Sequence, residues 1–277
     1  MNPAGVTLVL SGGGAKSAAH IGAALALAEF GLTPVRYIAA SMGAVIAVAL
    51  AARLDPEALL TRLAEVGRMG VVKDPLAFMS GLFARSLLRP RPFRDAVERL
   101  VPVRRFSDLT VPVTVTVTHL DTGELLLFGD GGEDAPVLDV LCATCALPVY
   151  YPPVHLGNRR CGDGGLRGPL PLDVAARLAS ETVVAVDVSP GFDVAETGSM
   201  PAAPPMVRAH DDAVGALMAQ ATASQLTLWR SDPSRPPLVY VRPKVERAAT
   251  FRVERVRQYA SDGYAAAREA LATATWP

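Results

Sequence analysis

The pattern of the first 53 residues constrains the fold more than any other feature of this chain. A short β-branched run, a turn and a helical pattern of Ala and Leu follow one another twice. Residues 6–10 and 37–40 are predicted strands, and residues 16–30 and 42–52 are predicted helices. A helix that connects two strands makes those strands parallel neighbours in one sheet. The sequence therefore predicts an α/β protein.

The rest of the chain continues this pattern as one predicted domain over residues 1–277. Val and Thr alternate over residues 111–119, and a short turn separates them from residues 124–128, which indicates a β-hairpin. Residues 182–188 and 238–241 are further predicted strands. A cap-like segment is expected at about 67–95 and an exposed loop rich in Pro and Gly at about 189–206. Further helices are predicted at 56–66, 94–101, 137–145, 172–179, 207–229 and 253–272.

Composition excludes several classes of protein. Lys and Arg number 27 and Asp and Glu number 27, so the net charge of zero gives no long-range attraction for nucleic acid. Three cysteines in 277 residues exclude a disulfide scaffold. Cys142 and Cys145 form a C-x-x-C with no second pair and no nearby His, which argues against structural zinc. We expect a cytoplasmic protein without a signal peptide or a membrane span.

The first motif that carries chemistry is GGGAK at residues 12–16, between the first strand and its helix. Three glycines let the backbone turn sharply and direct successive amides outward, which suits an anion. A P-loop would need Gly where Ala15 stands, and a Rossmann turn would need Gly where Ser17 stands. Both nucleotide-binding hypotheses fail, and a tight turn without a ligand remains the alternative.

The second motif is a strand-to-helix elbow at Ser41, close to G-x-S-x-G but with Ala39 in the first glycine position. Such an elbow holds a serine hydroxyl above the sheet at a helix N-terminus, where developing negative charge is favoured. The alternative is an ordinary N-cap serine. The third motif places Asp163 among Gly162, Gly164 and Gly165, either as a catalytic carboxylate or as a turn residue.

These three motifs, in this order, resemble the patatin-like phospholipase family. Residues 143–148 and 151–154, a small-residue stretch followed by prolines, add to the similarity, which covers about residues 5–190. The resemblance implies a three-layer α/β/α sandwich around a mainly parallel sheet. It also implies a Ser-Asp dyad, in which Ser41 is the nucleophile and Asp163 is the base. The other site residues that it implies are Gly12, Gly13 and Gly14 as the oxyanion hole, with Lys16, Gly43, Gly164 and Gly165 in support.

The chemistry expected of such a dyad is acyl transfer from an ester, with no metal or organic cofactor. A Ser-His-Asp esterase that uses His210 is the enzymatic alternative. A weakly active or inactive lipid-binding protein is the non-enzymatic alternative. The reason to consider it is that Ala39 and Ser17 replace glycines of the family pattern.

The expected partner is a lipid or other ester substrate, with peripheral membrane contact and no nucleic acid. Seven apolar residues within 76–88, flanked by Arg85, Arg89, Arg91 and Arg94, form either a lipid-facing cap or a segment packed on the core.

Overall fold

The computed structural model describes residues 5–73, 86–179, 181–191, 204–246 and 250–276. The strands are Gly5–Leu10 (β1), Thr33–Ala40 (β2), Val113–His119 (β3), Leu125–Gly129 (β4), Val154–Leu156 (β5), Arg159–Asp163 (β6), Val183–Val186 (β7) and Leu238–Val241 (β8). The helices are Ala18–Glu29 (α1), Met42–Ala51 (α2), Pro56–Gly70 (α3), Pro90–Leu100 (α4), Val137–Thr144 (α5), Leu172–Leu178 (α6), Pro205–Ser231 (α7) and Val256–Thr273 (α8). Short 3-10 turns include Gly14–Ser17 and Gly164–Leu166.

Within the described residues the sheet has eight strands, and its centre is parallel. Strands β3, β2, β1, β7 and β8 run in the same direction side by side, while β4, β5 and β6 add antiparallel pairings at one end. The predicted parallel α/β sheet and the hairpin of β3 and β4 are confirmed. The sequence analysis missed β5 and β6, which are short, and β6 is also rich in polar residues.

Helices cover both faces of the sheet, as the three-layer prediction requires. On one face, α1, α2, α3, α4, α5 and α8 share the larger apolar core with alternate residues of β1 and β3. On the other face, α6 and α7 pack on Val9 and Ile38. Helix α2 is buried all round, since nine of its ten residues are buried, and it lies inside the larger core as its composition predicts.

Two predicted segments fall partly outside the described residues. Residues 74–85 include most of the apolar stretch 76–88 of the expected cap, and residues 192–203 include most of the expected loop. In the described part of the first segment, Leu88 is buried and packs with Ala146 and Tyr151. No described helix is long and apolar enough to cross a bilayer.

Candidate active site

The pairing of strands around β3 brings Ser41 and Asp163 together. Strand β4 lies along one side of β3, and β2 lies along the other side until it ends at Ala40, opposite Thr116. Beyond that point β6 takes the place of β2, with Asp163 opposite Val117. The end of β2 and the end of β6 therefore meet at adjacent residues of β3, although Ser41 and Asp163 are 122 residues apart in the chain.

Ser41 stands at a strained elbow between β2 and α2. Its φ of 53° lies in the left-handed region that non-glycine residues seldom adopt. The amide of Ser41 donates to Thr144 Oγ1 at 2.8 Å, and that hydroxyl in turn donates to the carbonyl of Thr116 at 2.7 Å. A Cβ on Gly43 would lie 2.4 Å from the carbonyl oxygen of Ser11, so the elbow needs glycine there. These contacts hold the Ser41 side chain in one place.

Asp163 is almost completely buried and accepts two hydrogen bonds through its carboxylate. Ser41 Oγ donates to Oδ2 at 2.8 Å, and the amide of Gly165 donates to Oδ1 at 2.7 Å. Thr118 Oγ1 donates to the Asp163 carbonyl at 2.8 Å and fixes the backbone. Burial raises the pKa of Asp163 to about 6, although both hydrogen bonds to the carboxylate act in the opposite direction.

The glycine turn lies directly beside Ser41. A Cβ on Gly12 would lie 2.9 Å from Ser41 Cβ, which allows no side chain at that position. The Gly12 amide donates to the carbonyl of Pro169 at 2.9 Å, and the Ala15 amide donates to the carbonyl of Thr250 at 2.8 Å. In the described part of the chain, nothing accepts a hydrogen bond from the amides of Gly13 or Gly14. The Gly12 amide is thus already bonded to Pro169, unlike the other two amides of the predicted oxyanion hole.

Lys16 and Gly164 lie next to residues of this centre in the chain, whereas His210 is not part of it. Lys16 is buried in the first turn after the glycines. Gly164 is buried directly after Asp163. His210 lies on α7, where its Nδ1 is 3.2 Å from Asp211 Oδ1, and it does not line the cavity at Ser41. Among the described residues, Ser41 Oγ donates to Asp163 Oδ2, and no histidine is hydrogen-bonded to it.

An apolar cavity of about 100 Å³ opens over Ser41 and Asp163. Its walls come from α3, α4, the segment after α5, and residues 250–256. The polar side chains in its lining are few, and burial raises the pKa of the Cys145 thiol among them, which keeps it neutral. Apolar lining residues include Leu63, Val66, Phe93, Val97, Leu100 and Leu147.

Sequence reasoning missed Thr144, Thr118 and Cys145 as parts of this site. The threonines of β3 are buried, although alternate positions of a hairpin with one face in water would be exposed.

The three cysteines are free and buried. No cluster of His, Cys, Asp and Glu suited to a metal ion occurs in the described ranges.

The structure combines a mainly parallel α/β sheet with a serine and a buried carboxylate that meet at neighbouring strand ends beneath an apolar cavity. The chain belongs to the patatin-like phospholipase family, whose model matches residues 8–176. An uncharacterised NTE family protein of Mycobacterium tuberculosis is 32% identical over 185 residues, which are 66% of this chain and 49% of that protein. The human patatin-like phospholipase domain-containing protein 6 is 28% identical over 187 residues, 66% of this chain and 13% of that protein.

Among solved structures, VipD from Legionella pneumophila has a TM-score of 0.52 at 16% identity. The match covers 98% of this chain and 67% of that chain, and it supports the fold alone. The chain spans about half the length of the mycobacterial relative that it matches.

Proposed function

We propose that this protein is a serine acyl hydrolase that cleaves carboxylic esters of lipids, of the phospholipid or lysophospholipid type. The observation that carries the proposal is the 2.8 Å hydrogen bond from Ser41 Oγ to Asp163 Oδ2 at the base of an apolar cavity. Membership of the patatin-like phospholipase family supports the same reaction class.

In the proposed mechanism, Ser41 Oγ attacks the ester carbonyl carbon while its proton passes to Asp163 Oδ2. The carbonyl oxygen becomes an oxyanion, and the proton on Asp163 then moves to the departing alcohol as the C–O bond breaks. In the second half of the reaction, water attacks the acyl carbon and gives a proton to Asp163. That proton then passes to Ser41 Oγ as its bond to the acyl carbon breaks and the carboxylic acid leaves. A base with a pKa of about 6 is a stronger proton acceptor than an ordinary aspartate and is still ionised at neutral pH.

The proposed oxyanion hole consists of the amides of Gly13 and Gly14. These amides have no acceptor within the described structure, and Gly14 lines the cavity next to Ser41. The N-terminus of α2 begins at Met42 and adds a favourable dipole. Removing one such donor from a serine hydrolase lowers kcat by roughly 100- to 1,000-fold. Lys16, Gly43, Gly164 and Gly165 are proposed to support the loop, the elbow and the carboxylate.

The proposed occupant of the cavity is the acyl chain of the substrate. A lining made mostly of Leu, Val, Phe, Ala and Gly offers few polar partners to a charged head group, whereas it can remove methylene groups from water. Hydrolysis of lipids that stay in a bilayer also requires peripheral contact with the membrane, and we include that contact in the proposal.

The decisive experiment compares Ser41→Ala and Asp163→Asn with the parent on nitrophenyl esters, phospholipids, lysophospholipids and acylglycerols. Each variant should lose at least about 1,000-fold in kcat, because the two groups act as one unit. A fluorophosphonate probe should label the parent and leave Ser41→Ala unlabelled.

The matched control is His210→Ala, which should retain activity within about threefold because the dyad assigns no proton to that imidazole. A loss comparable with that of Ser41→Ala would support a Ser-His-Asp triad instead. Folded parent protein that neither reacts with the probe nor turns over any ester would support a lipid-binding protein.

A further inference from the structure

His20 is a completely buried histidine that the proposed dyad does not use. It lies on α1, and its Nε2 is 2.8 Å from the carbonyl oxygen of Ser11. A carbonyl can only accept, so Nε2 carries the proton and Nδ1 is the bare nitrogen. Within the described chain, Nδ1 has no hydrogen-bond partner. Burial lowers the pKa of His20 to about 4, so the ring is neutral and donates to Ser11 at physiological pH.

The Ser11 carbonyl belongs to the peptide that opens the glycine turn. The other end of that peptide, the Gly12 amide, donates to the carbonyl of Pro169 at 2.9 Å. Hydrogen bonds thus hold this peptide plane at both ends. Gly43 packs directly against the same Ser11 carbonyl, as its Cβ position 2.4 Å away indicates. The direction of the peptide is therefore set jointly by α1, the elbow and the segment after Asp163.

Three successive glycines have no side chains with which to fix their own orientation. The direction of the Gly13 and Gly14 amides must then follow from the contacts at the two ends of the turn. At the far end, the Ala15 amide bonds to the carbonyl of Thr250. At the near end two side chains act: Ser11 Oγ donates to the Gly12 carbonyl at 3.2 Å, and His20 holds the Ser11 carbonyl. The His20 bond can be removed without changing a residue of the turn or its immediate neighbour.

We propose that His20 is a positioning residue for the oxyanion hole. By donating Nε2–H to the Ser11 carbonyl, it holds the first peptide of the glycine turn and so directs the amides of Gly13 and Gly14 toward the ester oxygen. His20 touches no substrate atom, and the inference rests on the proposed acyl-hydrolase function. Because an oxyanion hole acts through preorganised donors, a small rotation of the turn weakens binding of the transition state more than binding of the ester.

The test uses His20→Met, which removes the donor at similar volume, and His20→Gln, whose side-chain amide can restore it. Ser17→Ala is the control, since Ser17 is also buried beside the turn but its hydroxyl makes no hydrogen bond within the described chain. Each protein is assayed for kcat and KM on a soluble nitrophenyl ester. Each is also assayed for inhibition by a trifluoromethyl ketone. Addition of Ser41 Oγ to that ketone moves the serine proton to Asp163 and leaves an oxyanion in the hole.

We expect His20→Met to lower kcat by about 100-fold while KM stays within about twofold of the parent value. The affinity for the trifluoromethyl ketone should fall by a similar factor. His20→Gln should recover to within about tenfold of the parent, and Ser17→Ala should match the parent. Unchanged kcat and inhibitor affinity in folded His20→Met would overturn the proposal. A lower melting temperature with unchanged inhibitor affinity would overturn it too, because it would show a purely structural role.

A second measurement needs no variant of His20. In ¹⁵N NMR of the parent protein, the His20 ring should stay in the Nε2–H tautomer from pH 5 to 8, and its ring proton should shift when the ketone adduct forms. The Nδ1–H tautomer, or a resonance that the adduct leaves unmoved, would overturn the proposal. If Ser41→Ala still hydrolyses esters, the proposed function itself fails, whereas an inactive Ser41→Ala beside a fully active His20→Met refutes the positioning role alone.

Discussion

At the residue scale, Asp163 is a carboxylate that the fold has removed from water and supplied with two hydrogen-bond donors. Burial favours the protonated form, while Ser41 Oγ–H and the Gly165 amide favour the ionised form. Burial is the larger effect, and the pKa settles at about 6. The residue is therefore ionised at neutral pH and still basic enough to take the proton of a serine hydroxyl.

The pKa of Asp163 predicts the acid limb of the pH–rate profile. Asp163 must be ionised to accept the proton, so kcat/KM should fall about tenfold for each pH unit below about 6 and stay level between about 7 and 8. The measurement is ester hydrolysis from pH 4.5 to 8, with Ser41→Ala as the background. A limb near pH 4, the ordinary value for aspartate, would contradict this environment. A limb that disappears in His210→Ala would assign the titration to that histidine.

At the element scale, the parts of the site that the sequence predicts are those encoded by local patterns. Strand β1, the glycine turn and the elbow at Ser41 are contiguous in sequence, so periodicity and small residues identify them. Strand β6 is short and polar, and its place beyond the end of β2 depends on pairing with β3, which no local pattern encodes. Thr144 is missed for the same reason, because it meets Ser41 across 103 residues.

Close packing of α1 against α8 is another element-scale feature, and it depends on two glycines. A Cβ on Gly263 would lie 2.0 Å from the Ala19 carbonyl oxygen, and one on Gly22 would lie 1.8 Å from that of Ala260. Each helix thus presses a glycine against the backbone of the other. Helix α1 also carries His20, so the position of α8 bears on the glycine turn.

We predict that Gly263→Ala lowers the free energy of unfolding by about 1–3 kcal/mol or more, because the added methyl group forces the two backbones apart. Gly215→Ala is the matched control in the interior of α7, where the new Cβ would meet Pro190 at an ordinary 3.7 Å. That control should gain about 0.5–1 kcal/mol from helix propensity. Urea unfolding measures the free energy of unfolding of both variants and the parent. Equal effects of the two substitutions would refute the packing argument.

At the scale of the whole molecule, the buried base makes the protein less stable at the pH where it would work. Below its ordinary pKa of 3.8, Asp163 is protonated in the folded and the unfolded chain alike. Between that value and about 6 the unfolded chain loses its proton first, so the free energy of unfolding decreases as the pH rises. Above pH 6 the folded protein carries a desolvated charge, a loss of about 2–3 kcal/mol relative to acid conditions.

Replacing Asp163 with Asn should therefore abolish activity and stabilise the protein at the same time. At pH 8 the variant should exceed the parent by up to about 2–3 kcal/mol in free energy of unfolding, and the difference should shrink to about 1 kcal/mol at pH 4.5. Ser41→Ala is the control in the same site: it keeps the carboxylate but removes one of its two donors, so it should be no more stable than the parent at pH 8. Urea unfolding at both pH values separates the cases. An Asn variant less stable than the parent at pH 8 would mean that the Gly165 and Ser41 hydrogen bonds outweigh burial of the charge, and the pKa of Asp163 would then lie below its ordinary value.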